Sequence, residues 1–102
     1  MCEIKTKVVG VSFEGRQREV AKLNMDQDLY LIHEINNEHD PNAVGVYSND
    51  GKIGYIRKSL AAELSDAISR GIKFDCKVIS LTGSDESWLG VNISIKRKKF
   101  GD

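Results

Sequence analysis

The sequence predicts a mainly β protein: a small six-stranded β-barrel, OB-like or SH3-like in build, with one principal α-helix over about 59–70 and a short helical turn over about 16–23. Three observations carry this expectation. Short runs alternate apolar with polar residues between turn signals, only one stretch has the spacing of a substantial amphipathic helix, and strands do not alternate with helices as a parallel sheet requires. With 102 residues and no repeat or low-complexity linker, the chain reads as a single domain over 1–102.

The first strand is expected within "IKTKVVGVSF", where Val8, Val9, Val11 and Phe13 are β-branched or aromatic and Gly10 marks a bulge or bend. "GRQREVAKL" places Val20 and Leu23 three apart among good helix formers, enough for a helical turn and too short for a free-standing helix. In "DLYLIHE", Leu29 and Leu31 alternate with Tyr30 and Ile32, predicting a strand covered at least partly on both faces. "NNEHDPNA" then reads as a rigid turn. Asn and Asp bond their own backbone, while Pro41 fixes φ and pushes Asp40 out of the helical region, leading to a strand at Ala43.

"AVGVY" and "KIGYI" flank "SNDG", whose Asn49, Asp50 and Gly51 suit a tight hairpin. Ser59 is the expected cap of the principal helix, with Leu60, Leu64, Ala67 and Ile68 on one face, Arg70 at its end and Gly71 at the left-handed position beyond. "KFDCKVISL" and "WLGVNISIK" supply two further strands. In the second, Leu89, Val91, Ile93 and Ile95 alternate with Asn92 and Ser94, so one face is buried and one is wet.

Fifteen basic and fifteen acidic side chains leave a formal net charge of zero, so no global field attracts nucleic acid or an anionic membrane. Any such binding is local. The one dense basic run, Lys96 to Lys99, belongs to a stretch expected to fray as a basic tail over 97–102, or to extend a phosphate-binding surface. No apolar run approaches the roughly 18 residues of a membrane span, and "MCEIKTK" lacks the apolar core of a secretory signal, so a cytoplasmic protein is expected. Cys2 and Cys76 are too few and too far apart for a metal pair or a disulfide framework; Cys76, alternating with Phe74 and Val78, is expected in the core.

Spacing tests the chemistry of 36–47, "NNEHDPNAVGVY". A calcium loop starting at Asp40 would put Val44 and Gly51 where oxygen ligands belong, and His33 and His39 are six apart where a zinc helix needs four. No nucleophile elbow exists, neither cysteine adjoins an evident base, and "GSDES" lacks the glycine-lysine spacing of a phosphate loop. No enzyme, metal or cofactor is therefore expected.

Three segments together, "VVGVSFEGRQ" (8–17), "HEINNEHDPNAVGVY" (33–47) and "KIGYIRKSLAAEL" (52–64), resemble the HIRAN domain, with a likeness running from about Thr6 to Ile95. HIRAN domains occur at the front of fork-remodelling DNA translocases and as small stand-alone bacterial proteins. The resemblance implies an OB-like barrel without enzymatic activity, whose pocket holds the 3′-hydroxyl end of single-stranded DNA. Carried over position by position, it assigns Asp40 to the terminal hydroxyl, Asn37 beside it, and Phe13 and His39 to the faces sandwiching the end base. Lys58 is matched to a phosphate contact, Tyr55 to a pocket wall and Trp88 to a further stacking face. A translocase or nuclease is the implied protein partner, and no membrane or small-molecule substrate is expected.

The chemistry of these residue types agrees. A carboxylate accepts a hydrogen bond from a terminal hydroxyl and repels a terminal phosphate. Aromatic stacking holds a base without regard to its identity, at about 1–3 kcal/mol per base. The chain departs from the family pattern at His33, Ile35, Glu38 and His39, which replace an arginine, two prolines and a tyrosine. It departs again at Ser12 and Glu14, which stand where DNA-end binders carry an arginine and a second tyrosine. Losing a cation while gaining Glu14 and Glu38 makes the rim less welcoming to phosphate. Two functions follow: a nucleic-acid-binding module that captures single-stranded ends, or a protein-interaction adaptor that retains the barrel without end binding.

Overall fold

The computed structural model describes residues 3–84 and 87–99. Six strands and two helices follow in the order β1 (Ile4–Lys7), α1 (Arg16–Val20), β2 (Asp28–His33), β3 (Val44–Ser48), β4 (Gly51–Tyr55), α2 (Lys58–Ser69), β5 (Phe74–Ser84) and β6 (Ser87–Arg97). All pairings are antiparallel, in the spatial order β1-β6-β5-β2-β3-β4. The sheet curls until its two edges meet. Val9, just beyond β1, exchanges two 2.8 Å backbone hydrogen bonds with Tyr55 at the end of β4. The expected mainly β, barrel-like fold with one principal helix is what the chain adopts.

The first strand lies earlier than its apolar residues suggest. Ile4–Lys7 forms β1, paired only with β6, and the strand yields to a turn at Gly10, whose φ of +71° lies in the left-handed region. Phe13 N–H donates to Gly10 O at 3.3 Å, so Val11 and Phe13 lie past the turn and outside any strand. β1 lies in the polar first half of the stretch because it buries little: Thr6 is buried and Ile4 partly so, alternating with exposed Lys5 and Lys7.

α1 is a single turn, shorter than 16–23, with Ala21, Lys22 and Leu23 continuing in turn hydrogen bonds. Val20 and Leu23 anchor it in the core as their spacing predicts. β2 is covered on one face only: Leu29 is buried, whereas Tyr30 and Ile32 are about half exposed on the outside. The hairpin closes with Ser48 opposite Gly51. β5 and β6 reach further than expected, bringing Gly83, Ser84 and Ser87 of the "GSDES" loop into strand. Bulges between Val78 and Ser80 and between Thr82 and Ser84 let this long hairpin bend along the barrel.

α2 starts one residue before the expectation. Arg57 occupies the cap position without a side-chain cap, and Ser59 lies inside the helix. Its buried face is Leu60, Ala61, Leu64 and Ser65, with Ala67 and Ile68 only partly covered; Gly71 follows at φ +89° as expected. Leu64 joins Val44, Val46, Ile53, Val78, Val91, Ile93 and Ile95 in a core excluded from solvent. Cys76 lies there too, and burial, followed by the charge of Asp28, pushes its thiol up to about 12. Such a thiol stays neutral and is no nucleophile.

Of the stretch expected to fray, Arg97 is the last residue of β6, opposite Phe74, and Lys98 N–H donates to Lys73 O. Residues 100–102 lie outside the described residues, as does Cys2.

Candidate functional site

The bridge between Val9 and Tyr55 brings two connections to one rim: the segment after β1, residues 10–15, and the β2–β3 connection, residues 34–43. The second is built as its composition predicts. Asn37 Oδ1 accepts from the N–H groups of His39 and Asp40 at 2.9 and 3.0 Å, and Asp40 Oδ1 accepts from Asn42 N–H at 2.9 Å. Ala43 N–H closes onto Asp40 O. His33 adds a tie from β2, its Nε2 lying 2.8 Å from Pro41 O; a carbonyl only accepts, so Nε2 carries the proton. The result is a stiff loop with Asp40 Oδ1 engaged in the turn.

Between the two segments lies a cleft of about 520 Å³. Val9, Gly10, Phe13, Glu14 and Arg16 form one wall; Asn37, His39, Asp40 and Ala43 form another, and Tyr55, at the end of β4, and Ile56 complete the lining. Phe13, at 65% exposure, is a large aromatic surface left uncovered by the fold. Five of the seven residues singled out from the sequence, Phe13, Asn37, His39, Asp40 and Tyr55, meet here. Lys58 and Trp88 do not: Lys58 is exposed on the first turn of α2, and Trp88 is 70% exposed on β6.

Behind Tyr55 stands a network that spacing alone did not reveal. The Glu34 carboxylate accepts from Tyr47 Oη at 2.7 Å, from Tyr55 Oη at 3.0 Å and from Asn37 Nδ2 at 3.1 Å, and pairs with Lys52 Nζ at 2.8 Å. Lys52 in turn donates to Tyr55 Oη at 2.7 Å and lies over the Tyr55 ring. Partial burial pushes the Glu34 carboxyl upward, but the donors from Lys52, Tyr47, Asn37 and Tyr55 outweigh it and hold its pKa down to about 2. Burial also acts against the Lys52 charge, which Glu34 and Tyr55 nevertheless hold above the usual lysine range. Burial and the neighbouring Glu34 raise the Tyr47 phenol. Both a turn residue, Asn37, and a cleft wall, Tyr55, are thereby tied to one ionised carboxylate.

Arg16 was also missed. It is only 7% exposed, donates to Gly10 O at 2.8 Å and to Glu14 at 3.0 Å, and its guanidinium sits 5.0 Å from the centre of the Tyr55 ring. Its neighbour Gln17 acts as a substitute strand: the amide accepts from Leu89 N–H at 2.7 Å and donates to Leu89 O and Val11 O. These roles left a faint signal in the sequence, a polar "RQ" pair entering a short helix whose apolar residues lie further on.

Among the described residues no cluster of three or more potential ligands could hold a metal ion, and no helix is long and apolar enough to cross a membrane. The fold and site define a small barrel-like binding domain: a rigid rim, an aromatic-walled cleft and a carboxylate beside it. The family model of the HIRAN domain matches residues 1–98, and the chain belongs to that family of nucleic-acid-binding modules. Two solved structures share the fold. The HIRAN domain of human HLTF superposes with a TM-score of 0.68 at 21% identity, over 91% of this chain and 74% of that one. A protein from Lactobacillus plantarum superposes with a TM-score of 0.69 at 18% identity, over 93% of this chain and 99% of that one. No curated protein matches the chain in sequence.

Proposed function

We propose that the cleft between Phe13 and Asp40 captures the 3′-hydroxyl end of single-stranded DNA. The observation carrying this reading is the juxtaposition in one cleft of two ring-bearing side chains, Phe13 and His39, with Asp40, which commits Oδ1 to Asn42 N–H. The end base stacks on Phe13 and His39, the terminal hydroxyl donates to Asp40 Oδ2, and Tyr55, fixed by Glu34 and Lys52, forms a polar wall. A 3′-phosphate brings negative charge against Asp40 and is rejected. Lys58 and Trp88, outside the cleft, act only on the strand beyond the captured nucleotide. The domain binds without a catalytic step, and a translocase or nuclease acting on the same ends is its protein partner.

Nitrogen-15 NMR titration with a short 3′-hydroxyl oligonucleotide tests the location. Shifts should concentrate at Phe13, His39, Asp40 and Tyr55; shifts confined to another face would overturn the assignment.

Glu14 favours a second reading. It places a carboxylate, 78% exposed, on Arg16, the one lysine or arginine among the described residues that line the cleft. A protein-interaction adaptor, whose partner brings a cation to Glu14, would use the same cleft without DNA. Binding of a basic peptide in place of the oligonucleotide would support it.

A further inference from the structure

On the far side of the Val9–Tyr55 bridge, the chain carries a second cleft of about 460 Å³ lined by Lys5, Thr6, Lys7, Arg57, Ile79, Ser80 and Asn92. Its chemistry differs from the first. Among the described residues three cations line it and no carboxylate does, in a protein with equal numbers of acids and bases. Lys5, Lys7 and Arg57 are exposed and form no ion pair among the described residues, although six pairs occupy other cations. The remaining polar groups are neutral: Asn92 Nδ2 donates to Ser80 Oγ at 2.7 Å, holding the floor in place.

The two clefts are consecutive along both bridged segments. Val9 and Gly10 line the first and Lys5, Thr6 and Lys7 the second; Tyr55 and Ile56 line the first and Arg57 the second. From Val9 back to Lys5 is about 13 Å of extended chain. The cationic stretch then ends. Next to it, sharing Ile79, is a cleft lined by Glu3, Asp26 and Asp75 as well as Lys77 and Lys96, where the acids remove the net attraction for phosphate.

We infer that Lys5, Lys7 and Arg57 form a phosphodiester track for the nucleotides on the 5′ side of the captured end. The track is short, bounded at one end by the pocket and at the other by the acids around Glu3. It engages phosphates as point charges and ignores sequence. Its direction rests on the end-capture reading; its ligand chemistry rests on the three cations alone. It also locates the local attraction that zero net charge denies to the molecule as a whole.

The test is fluorescence anisotropy with 5′-fluorescein-labelled dithymidylate and decathymidylate, each ending in a 3′-hydroxyl, and with the same decathymidylate ending in a 3′-phosphate, against the intact chain and the triple substitution Lys5→Ser, Lys7→Ser, Arg57→Ser. The intact chain should bind the longer strand roughly tenfold more tightly, and removing three phosphate contacts should flatten its log–log salt slope by about 2. The triple variant should lose the gain from length and still bind the dinucleotide. If the dinucleotide binds and lengthening it adds nothing, or the variant keeps the gain, the track is overturned while end capture stands. If the longer strand binds regardless of its 3′ end and the variant loses that binding, the track stands and end capture falls. Binding of neither strand overturns both.

Discussion

Glu34 and Lys52 meet at 2.8 Å on the outer face of the sheet, and Tyr55 Oη, donating to Glu34 and accepting from Lys52, links this ion pair to the cleft. Both side chains are largely shielded, at 17% and 25% exposure, so the pair is worth more than the usual surface salt bridge. Its loss should therefore be read both in stability and in binding.

Acid should remove this contribution. Glu34 has a folded pKa of about 2 against an ordinary value of 4.5, a depressed carboxyl. The stability it contributes is complete above about 4.5 and is lost as pH falls towards 2. The linkage amounts to about 2–3 kcal/mol, shared with Lys52. Urea denaturation at stepped pH should show that fall in the wild type and a much smaller one in Glu34→Gln. Identical pH profiles would contradict the network.

Gly45 is the place where the sheet makes room for that carboxylate. A Cβ there would come within 2.6 Å of Glu34 Oε2 and of Tyr47 Cε1. Gly45→Ala should cost about 1–3 kcal/mol and displace Glu34 from its donors. Thermal unfolding measures the cost; an unchanged midpoint would show that the face is less tightly filled.

Gln17 closes a gap between α1 and β6. Gln17→Leu keeps the volume but leaves Leu89 N–H and O without their partner, at a cost of about 1–3 kcal/mol. Amide exchange at Leu89 should quicken in this variant, with Ile93 and Ile95 in the core much less affected. Unaltered protection at Leu89 would rule out the role.

The architecture was legible where burial made it so. Leu29, Val44, Ile53, Val91, Ile93 and Ile95 alternate or cluster as the solvent-free interior requires, and each is buried. β1 occupies the start of its expected stretch and not the apolar run, because an edge strand that buries one threonine and part of one isoleucine leaves almost no hydrophobic pattern, while Val11 and Phe13 follow a turn shaped by Gly10. For the cleft, the "NNEHDPNA" turn was legible because its hydrogen bonds join residues two and three apart. The Glu34 network was not. Asn37 is three positions from Glu34, but Tyr47, Lys52 and Tyr55 lie 13, 18 and 21 positions away and meet it only when β2, β3 and β4 pair in register. Arg16 was obscured by its helical neighbours, and only the chain's turn at Gly10 brings it under Tyr55.

Phe13 separates function from folding. Being exposed, it contributes little to the core, so Phe13→Ala should leave the melting temperature nearly unchanged while weakening oligonucleotide binding by about 1–3 kcal/mol. Isothermal titration alongside thermal unfolding distinguishes the two; equal affinity for both proteins would remove Phe13 from the interface.

The proposed selection of a 3′-hydroxyl end depends on Asp40. Anisotropy with two oligonucleotides of the same sequence, one ending in a 3′-hydroxyl and one in a 3′-phosphate, tests it most directly, with Asp40→Asn as the paired variant. The wild type should prefer the hydroxyl end at least tenfold, and Asp40→Asn should lose most of that preference while remaining folded. Equal binding of both ends by the wild type, or an undiminished preference in Asp40→Asn, would contradict the account.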